Sequence, residues 1–165
     1  MGKSSLLNAL VARRAVARVS STPGKTQHVN VFQLPTFYLI DLPGYGWART
    51  SATDRRGFRQ LLETYLKRRE WLAGIIWLLD IRHPPSSDDF DVQEVMVAAG
   101  RPALVTLTKG DKLPRAQRAK AVMDRARDLG IGMDELLLTS SKTGEGISDL
   151  AESALAAVAG FVAPE

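Results

Sequence analysis

The residues best suited to chemistry form four short motifs spread along the chain. They are Gly2-Lys3-Ser4-Ser5, Asp41-Leu42-Pro43-Gly44, Thr108-Lys109-Gly110-Asp111 and Ser140-Ser141-Lys142. The first is the second half of the phosphate-binding sequence G-x-x-x-x-G-K-[ST]. In that sequence, backbone amides at a helix N-terminus cradle phosphates, the lysine reaches the β- and γ-phosphate oxygens, and the serine hydroxyl binds Mg²⁺. Alone this motif is weak evidence for a phosphate-binding site, because Gly-Lys-Ser often occurs by chance.

Asp41 and Gly44 are predicted to serve the same phosphate group. A carboxylate at the carboxyl end of a buried strand can hold Mg²⁺ through water, and a glycine three residues later lets a backbone N–H approach the γ-phosphate. A turn capped by Asp and Pro-Gly is the structural alternative. In the preceding loop, Thr26 rather than Thr22 is predicted to join the Mg²⁺ shell when a γ-phosphate is present. The predicted metal ligands are therefore Ser4, Thr26 and Asp41.

Thr108-Lys109-Gly110-Asp111 is the most specific motif. It follows an apolar run typical of a buried strand, and ligands of open α/β sheets bind where such strands end. The Asp111 carboxylate can accept hydrogen bonds from guanine N1–H and the exocyclic amino group, a donor pair that adenine lacks. The aliphatic stem of Lys109 can cover one face of the base. After the next strand, a backbone amide of Ser140-Ser141 can meet guanine O6 while Lys142 flanks the ring. Charged loops are the alternative for each segment alone, but their joint spacing favours a guanine site.

Short apolar runs alternate with helical patterns, which predicts an α/β domain with a mostly parallel sheet. Helices are predicted over 4–12, 52–69, 87–99, 114–130 and 147–162, and strands over 29–34, 37–41, 74–80, 103–108 and 136–139. A loop is predicted over 20–27, and Pro35-Thr36 suggests an antiparallel hairpin at the sheet edge. The strand over 74–80 has the continuous apolar run of a strand buried on both faces. Residues 1–165 are predicted to form a single domain.

Composition narrows the class of protein. The 165-residue chain has no cysteine, which excludes disulfides and thiolate metal sites and fits a cytoplasmic location. No apolar run reaches the ~18 residues that a membrane helix requires. Residues 1–69 contain 12 Lys or Arg against three acids, whereas residues 70–165 contain 10 against 15. Solvated helix faces are the simplest explanation, and contact of the basic half with RNA is the functional alternative. The residues concerned are Arg13, Arg14, Arg18, Lys25, Arg49, Arg55, Arg56 and Arg59.

Together the motifs resemble those of the translation-factor-like GTPases, and among these the EngB (YihA/YsxC-type) family. The matching segments span 21–27, 41–46, 80–83, 108–112 and 140–146, so the resemblance covers essentially the whole chain. It implies a Ras-like P-loop GTPase sheet flanked by helices, with slow hydrolysis of GTP to GDP. It also implies a bacterial role in assembling the large ribosomal subunit, through its rRNA, and in cell division and septation. A monomer is expected.

No catalytic residue is assigned from the sequence. Tyr45 stands where many small GTPases have the glutamine that orients the attacking water, and a phenol cannot do this as an amide does. We therefore expect slow intrinsic hydrolysis that a partner or an ion accelerates. His83 is expected to be structural or to face RNA rather than to act as a general base. Trp47, Trp71 and Trp77 are expected in the core or at an interface.

The resemblance further implies a strand ahead of Met1. The family pattern places a β-strand and then G-R-S-N-V before Gly2, and Met1 stands where Val is expected, which suggests a start codon assigned too late. The strand would lie at the centre of the sheet, between the strands over 37–41 and 74–80. Buried backbone groups left unpaired cost about 1–3 kcal/mol each. We therefore expect the chain as written to be unstable and to bind nucleotide weakly.

Two functional hypotheses remain. The first is a GTP-binding and GTP-hydrolysing ribosome-assembly factor that uses Mg²⁺. The second is a nucleotide-incompetent truncated remnant whose basic half still binds RNA. Nucleotide binding separates them, because only the first requires it.

Overall fold

The computed structural model describes residues 2–12, 17–21, 29–42, 44 and 52–162. Within them the chain forms five α-helices and six strands in alternating groups. The helices are α1 Lys3–Ala12, α2 Ala52–Arg68, α3 Ser87–Ala99, α4 Arg115–Leu129 and α5 Ile147–Ala159. The strands are β1 Ala17–Ser21, β2 Asn30–Gln33, β3 Tyr38–Asp41, β4 Ile75–Asp80, β5 Ala103–Thr108 and β6 Leu136–Leu138. The predicted α/β architecture is confirmed.

The second half of the chain builds a parallel sheet in the order β4-β5-β6. Its register pairs Ile75 with Ala103 at one end of β4 and Asp80 with Thr108 at the other. β6 continues the sheet, with Leu107 paired to Leu138. Because all three strands run the same way, their carboxyl ends lie at one edge, and the loops that leave these ends meet there.

The first half of the chain builds an antiparallel sheet in the order β1-β2-β3. The predicted hairpin around Pro35-Thr36 is confirmed, since β2 and β3 pair from Asn30–Asp41 to Gln33–Tyr38. Strand β1 was not predicted, and the loop prediction is wrong at Ser20 and Ser21, which pair with β2. β1 covers the free side of β2, so β3 is the edge strand of the hairpin in this sheet.

The parallel sheet is covered on both faces. Trp77 and Leu79 of β4 point into one apolar cluster with α2, α3 and α4, whereas Ile76 and Leu78 point to the opposite face. On that opposite face Leu6 of α1 packs with Ile147 and Leu150 of α5. Such alternation follows from the two-residue period of a strand. β4 was predicted to be buried on both faces. Trp77 and Leu79 are buried on the first face, whereas Ile76 and Leu78 on the second face are partly buried and border a cavity.

That cavity separates the two sheets. It has a volume of about 590 Å³ and is predominantly apolar, with walls from β3, β4, α1 and α2. No described residue forms a strand between β3 and β4, and no strand pairing joins the two sheets among the described residues. Leu39 and Leu78 face the cavity from its two sides.

The helix boundaries agree with the capping residues in the sequence. Ser86 caps α3, with its hydroxyl accepting from the Asp89 amide and the Asp89 carboxylate accepting from the Ser86 amide. Gly130 ends α4 in the left-handed conformation, at φ 65°. The last helix ends at Ala159 rather than 162, one residue before Gly160. None of the helices that the structure describes is long and apolar enough to cross a membrane.

Leu107 anchors the parallel sheet and offers a direct test of it. Its side chain is completely buried near the carboxyl end of β5, one residue before Thr108. We expect Leu107→Ala to lower the free energy of unfolding by about 2–5 kcal/mol, because it removes buried methyl groups and leaves a void. Val97→Ala is the control, since Val97 is exposed on α3 and its truncation should change stability by less than about 0.5 kcal/mol. Urea denaturation followed by circular dichroism measures both. Equal losses for the two variants would contradict the described core.

Candidate functional site

The carboxyl edge of the parallel sheet gathers the base-reading motifs. Thr108 ends β5, and its buried hydroxyl donates to the Leu79 carbonyl of the neighbouring strand at 3.0 Å. The Gly110 amide donates to the Thr139 carbonyl at 3.0 Å, which ties the loop after β5 to the loop after β6. The two predicted guanine motifs are therefore adjacent and held by backbone contacts.

Asp111 is fixed by Ser140. The Ser140 hydroxyl donates to one Asp111 oxygen at 2.7 Å, and Ser140 itself is fully buried. This hydrogen bond holds the pKa of Asp111 below its usual range despite the opposing effect of desolvation, and the positive charges of Lys112 and Lys142 act in the same direction. The carboxylate thus stays ionised and keeps acceptor capacity for a ligand that presents two donors.

The segment after β6 folds into a tight turn that leaves Ser141 and Lys142 exposed. Its backbone closes through Ser140 N–H to Glu145 O and Gly144 N–H to Ser140 O, both at 2.9 Å. Gly146 has a φ of 68°, and a Cβ there would lie 2.1 Å from the Leu138 carbonyl oxygen, so only glycine fits. Because the Ser140 amide is already used, the predicted contact to guanine O6 falls to Ser141, and Ser140 acts by positioning Asp111.

Lys109 adopts a left-handed conformation that is uncommon for a side-chain-bearing residue, with φ 63°. Its Nζ lies 3.0 Å from an Asp80 oxygen across the sheet edge. The stem of Lys109 also reaches the first motif, since a Cβ built on Gly2 would lie 3.6 Å from Lys109 Cε. The structure therefore brings the start of α1 and the base-reading loop together.

Asp80 is a site residue that the motif analysis did not assign. Its carboxylate also accepts from Arg82, at 2.9 Å from Nε and 2.7 Å from Nη2. Burial alone would raise the pKa of Asp80, but the hydrogen bonds from Arg82 and Lys109 outweigh it and hold the pKa well below its ordinary value. The available signal was position: the apolar run of β4 ends in this aspartate, at the same edge as Thr108.

The predicted phosphate-binding residues also come together. Lys3, in the first turn of α1, lies with its Nζ 2.8 Å from an Asp41 oxygen and donates to the Leu42 carbonyl at 2.5 Å. Asn30 of β2 donates to the other Asp41 oxygen at 3.0 Å. The Asp41 side chain is 10% exposed, so its charge is largely withdrawn from water and matched by Lys3. The ion pair bridges the helix that follows Gly2 and the end of β3.

The residues near Lys3 suit Mg²⁺ only when a ligand supplies further oxygens. Ser4 and Ser5 are exposed at the start of α1, and Asp41 offers a hard carboxylate, which is the donor type that Mg²⁺ prefers. Among the described residues no group of three or more His, Cys, Asp or Glu could hold a metal. Sites of one or two carboxylates completed by phosphates and water are usual for this ion. Ser4 and Asp41 therefore provide oxygen donors that fit Mg²⁺.

The structure describes some of the remaining predicted residues and not others. Gly44 is described and half-buried, whereas Thr22, Thr26, Tyr45 and Trp47 lie outside the described residues. Trp77 is in the core at 5% exposure, as predicted.

Trp71 is 72% exposed, which excludes the core for this residue and leaves the predicted interface alternative untested. His83 is exposed in the turn after β4.

Asp80 gives a pH-dependent test of the site geometry. A carboxyl group whose folded pKa is depressed adds stability above its unfolded pKa of about 3.9, and this stability is lost as the pH falls through the folded pKa. We expect Asp80→Asn to cost about 1–2 kcal/mol at pH 7, a figure discounted for partial exposure. The difference from the wild type should shrink as the pH falls below about 4. Urea denaturation between pH 7 and the acid limit of folding measures it.

Glu152→Gln is the matched control, because Glu152 is exposed on α5 and forms no ion pair with a described residue. This substitution should leave the free energy of unfolding unchanged at every pH. A loss for Asp80→Asn that stays constant down to acid pH would show that packing, not charge, is responsible.

Comparison with known proteins agrees with this geometry. A family model described as 50S ribosome-binding GTPase matches residues 1–109. The probable GTP-binding protein EngB of Pelotomaculum thermopropionicum is 45% identical over 154 residues, covering 92% of this chain and 78% of that protein. The protein of the same name from Gemmatimonas aurantiaca is 42% identical, covering 93% and 76%.

Solved structures show the same fold at low sequence identity. A probable GTP-binding protein EngB superposes with a TM-score of 0.73 at 14% identity, covering 97% of this chain and 94% of that one. Era from Aquifex aeolicus, bound to GDP and AlF₄⁻, gives 0.63 at 22% identity, covering 99% and 54%. The fold is thus the P-loop GTPase fold, and the chain belongs to the EngB family of GTP-binding proteins.

Proposed function

We propose that this protein binds GTP and GDP with Mg²⁺, hydrolyses GTP slowly, and assists assembly of the large ribosomal subunit in the cytoplasm. The observation that carries the proposal is the proximity of two groups, one at the carboxyl edge of the parallel sheet and one between the start of α1 and the end of β3. Asp111 with Ser140 and Lys109 forms a base-reading group, and Lys3 with Asp41 forms a phosphate group. Gly2 lies against Lys109 between the two groups.

The base-reading group favours guanine. Asp111 is held ionised and oriented by Ser140, so it can accept from guanine N1–H and the exocyclic amino group. Asp80 holds the Lys109 ammonium, which leaves the aliphatic stem free to lie along the face of the base. Thr108, at the end of β5, fixes the start of this loop. Lys142 is exposed in the turn after β6, from which it can flank the guanine ring.

The phosphate group uses the start of α1. The amides of Gly2, Lys3, Ser4 and Ser5 lie at the helix N-terminus, where anions are favoured. Lys3 would exchange part of its contact with Asp41 for β- and γ-phosphate oxygens. Ser4, Asp41 and Thr26 would hold Mg²⁺, which when bound neutralises phosphate charge. Gly44 follows Asp41 closely enough for its amide to approach the γ-phosphate.

We expect hydrolysis to be slow, because the sequence has no amide side chain next to Gly44 to orient a water for attack. Tyr45, adjacent to Gly44, replaces the amide side chain that performs this role in many GTPases. Acceleration would then come from a partner that completes the site.

A ribosomal partner is supported by two features. The matching family model is described as a 50S ribosome-binding GTPase, and the basic bias of residues 1–69 suits contact with rRNA. A role in cell division and septation would follow from the supply of ribosomal subunits.

Nucleotide selectivity tests the proposal. In titrations with fluorescent mant nucleotides and Mg²⁺, we expect GDP and GTP to bind and ATP not to bind. Asp111→Asn should weaken GDP roughly 100-fold or more and improve binding of xanthosine diphosphate, because the amide can donate to the xanthine C2 carbonyl. Asp149→Asn is the control, since Asp149 is exposed on α5 and should leave affinity unchanged.

Loss of guanine selectivity in the wild type would reject the proposed site. Absence of any nucleotide binding would favour the truncated remnant with residual RNA binding.

Ribosome binding is tested separately by sedimentation. With a non-hydrolysable GTP analogue, we expect the protein to co-migrate with large ribosomal subunits on a sucrose gradient, and with GDP to remain mostly at the top, because the γ-phosphate orders the segments that sense it. The small subunit is the control. Equal migration with both subunits in both nucleotide states would indicate non-specific charge binding and contradict a GTP-dependent role.

A further inference from the structure

The edge of the parallel sheet opposite the nucleotide site carries a distinct cationic and aromatic surface. β4 begins at Ile75 and β5 at Ala103, so the segments leading into these strands lie away from Asp80 and Thr108. We call the cationic and aromatic groups of these segments the amino-edge surface. It consists of Lys67, Arg68, Arg69 and Trp71, which are exposed, and Arg101, which is half-buried.

Backbone and side-chain contacts make this surface contiguous. Lys67 and Arg68 end α2, and the Leu72 amide donates to the Arg69 carbonyl at 3.2 Å to close the turn that carries Trp71. The Arg101 guanidinium donates to the same Arg69 carbonyl at 3.1 Å. The two segments therefore meet at one point although about thirty residues separate them in sequence.

The cations of this surface are not neutralised by described carboxylates. Elsewhere, Arg59, Arg82, Arg118 and most other described basic residues form ion pairs. None of Lys67, Arg68, Arg69 and Arg101 forms an ion pair with a residue that the structure describes. Arg69 lies over the Tyr65 ring at 5.2 Å. Glu70 is the single acid within residues 67–71, so the surface remains strongly positive.

Trp71 supplies an accessible ring within this positive field. Its 72% exposure contrasts with 5% for Trp77. Lys67 and Arg68 also complement the negative end of the α2 dipole, but an exposed indole gains nothing from that dipole. Aromatic faces bordered by arginine are the groups on which unpaired bases stack, while the cations contact phosphates.

We propose that the amino-edge surface binds single-stranded RNA, with a base stacked on Trp71 and phosphates beside the four cations. The surface lies about 20 Å from the nucleotide edge, the length of β4, so both can be occupied together. A lipid surface is a poorer partner, because a membrane-binding helix needs a broad apolar face beside its cations, and Trp71 stands alone here. This proposal goes beyond nucleotide binding and does not require it.

Fluorescence anisotropy with a labelled oligouridine of about 12 nucleotides tests the proposal on the full chain. We expect Trp71→Ala to weaken binding roughly tenfold or more and to leave its salt dependence unchanged, because stacking is lost but no charge is. Trp71→Phe should retain most of the affinity. The double variant Lys67→Gln/Arg68→Gln should weaken binding and reduce the slope of log K against log salt by about 1.4, which is the value for two phosphate contacts on a single strand.

The matched control is Arg115→Gln/Lys120→Gln. It removes the same charge from two exposed residues of α4, outside the basic half of the chain. This variant should keep nearly full affinity. Asp111→Asn should bind RNA like the wild type, so failure of nucleotide binding is distinguishable from failure of RNA binding.

Three results would overturn the proposal. One is RNA affinity unchanged by Trp71→Ala, and another is an equal loss for the two charge-removing variants. The third is a preference for vesicles that contain phosphatidylserine over RNA, measured by co-sedimentation at equal ionic strength, because it would assign the surface to a membrane.

Discussion

The parallel register between β4 and β5 is the constraint on which the carboxyl edge of the parallel sheet depends. It pairs Asp80 with Thr108, so the residues that follow both strands emerge side by side. A shift of one residue would exchange the two faces of a strand and turn Asp80 toward the core. Completely buried side chains such as Leu107 oppose this shift, because moving them to the other face would lose their apolar contacts. The positions of the residues at this edge are therefore fixed by the packing of the strands that lead to them.

A second constraint concerns how the two sheets are joined. Among the described residues the two sheets share no strand pairing. Lys3 of α1 forms an ion pair with Asp41 at the end of β3. Lys3 remains 30% exposed, so this pair is partly screened and contributes modestly. A nucleotide that contacts Asp111 through its base and Lys3 through its phosphates would touch both sides. Its binding free energy would then add to the stability of the joined state.

The sequence predicted the elements and motifs whose signal is local. Continuous apolar runs identified β4 and β5, and residues such as Pro114 and Gly130 bounded α4. Strand β1 was missed because it is short and polar, and its pairing with β2 is a tertiary contact. The link from Asp80 to Lys109 depends on a left-handed backbone at Lys109, which no propensity indicates. Trp71 was expected in the core or at an interface, and only the fold shows the turn that exposes it.

The packing of α2 extends the same dependence on the core to the amino-edge surface. The 17 residues of α2 extend roughly 25 Å and end at Lys67 and Arg68 of that surface. Phe58, Leu62 and Leu66 of α2 are buried in the core cluster that also contains Trp77 and Leu79 of β4. The apolar face of α2 therefore holds its cationic end at the amino end of the parallel sheet, where Arg101 donates to the Arg69 carbonyl.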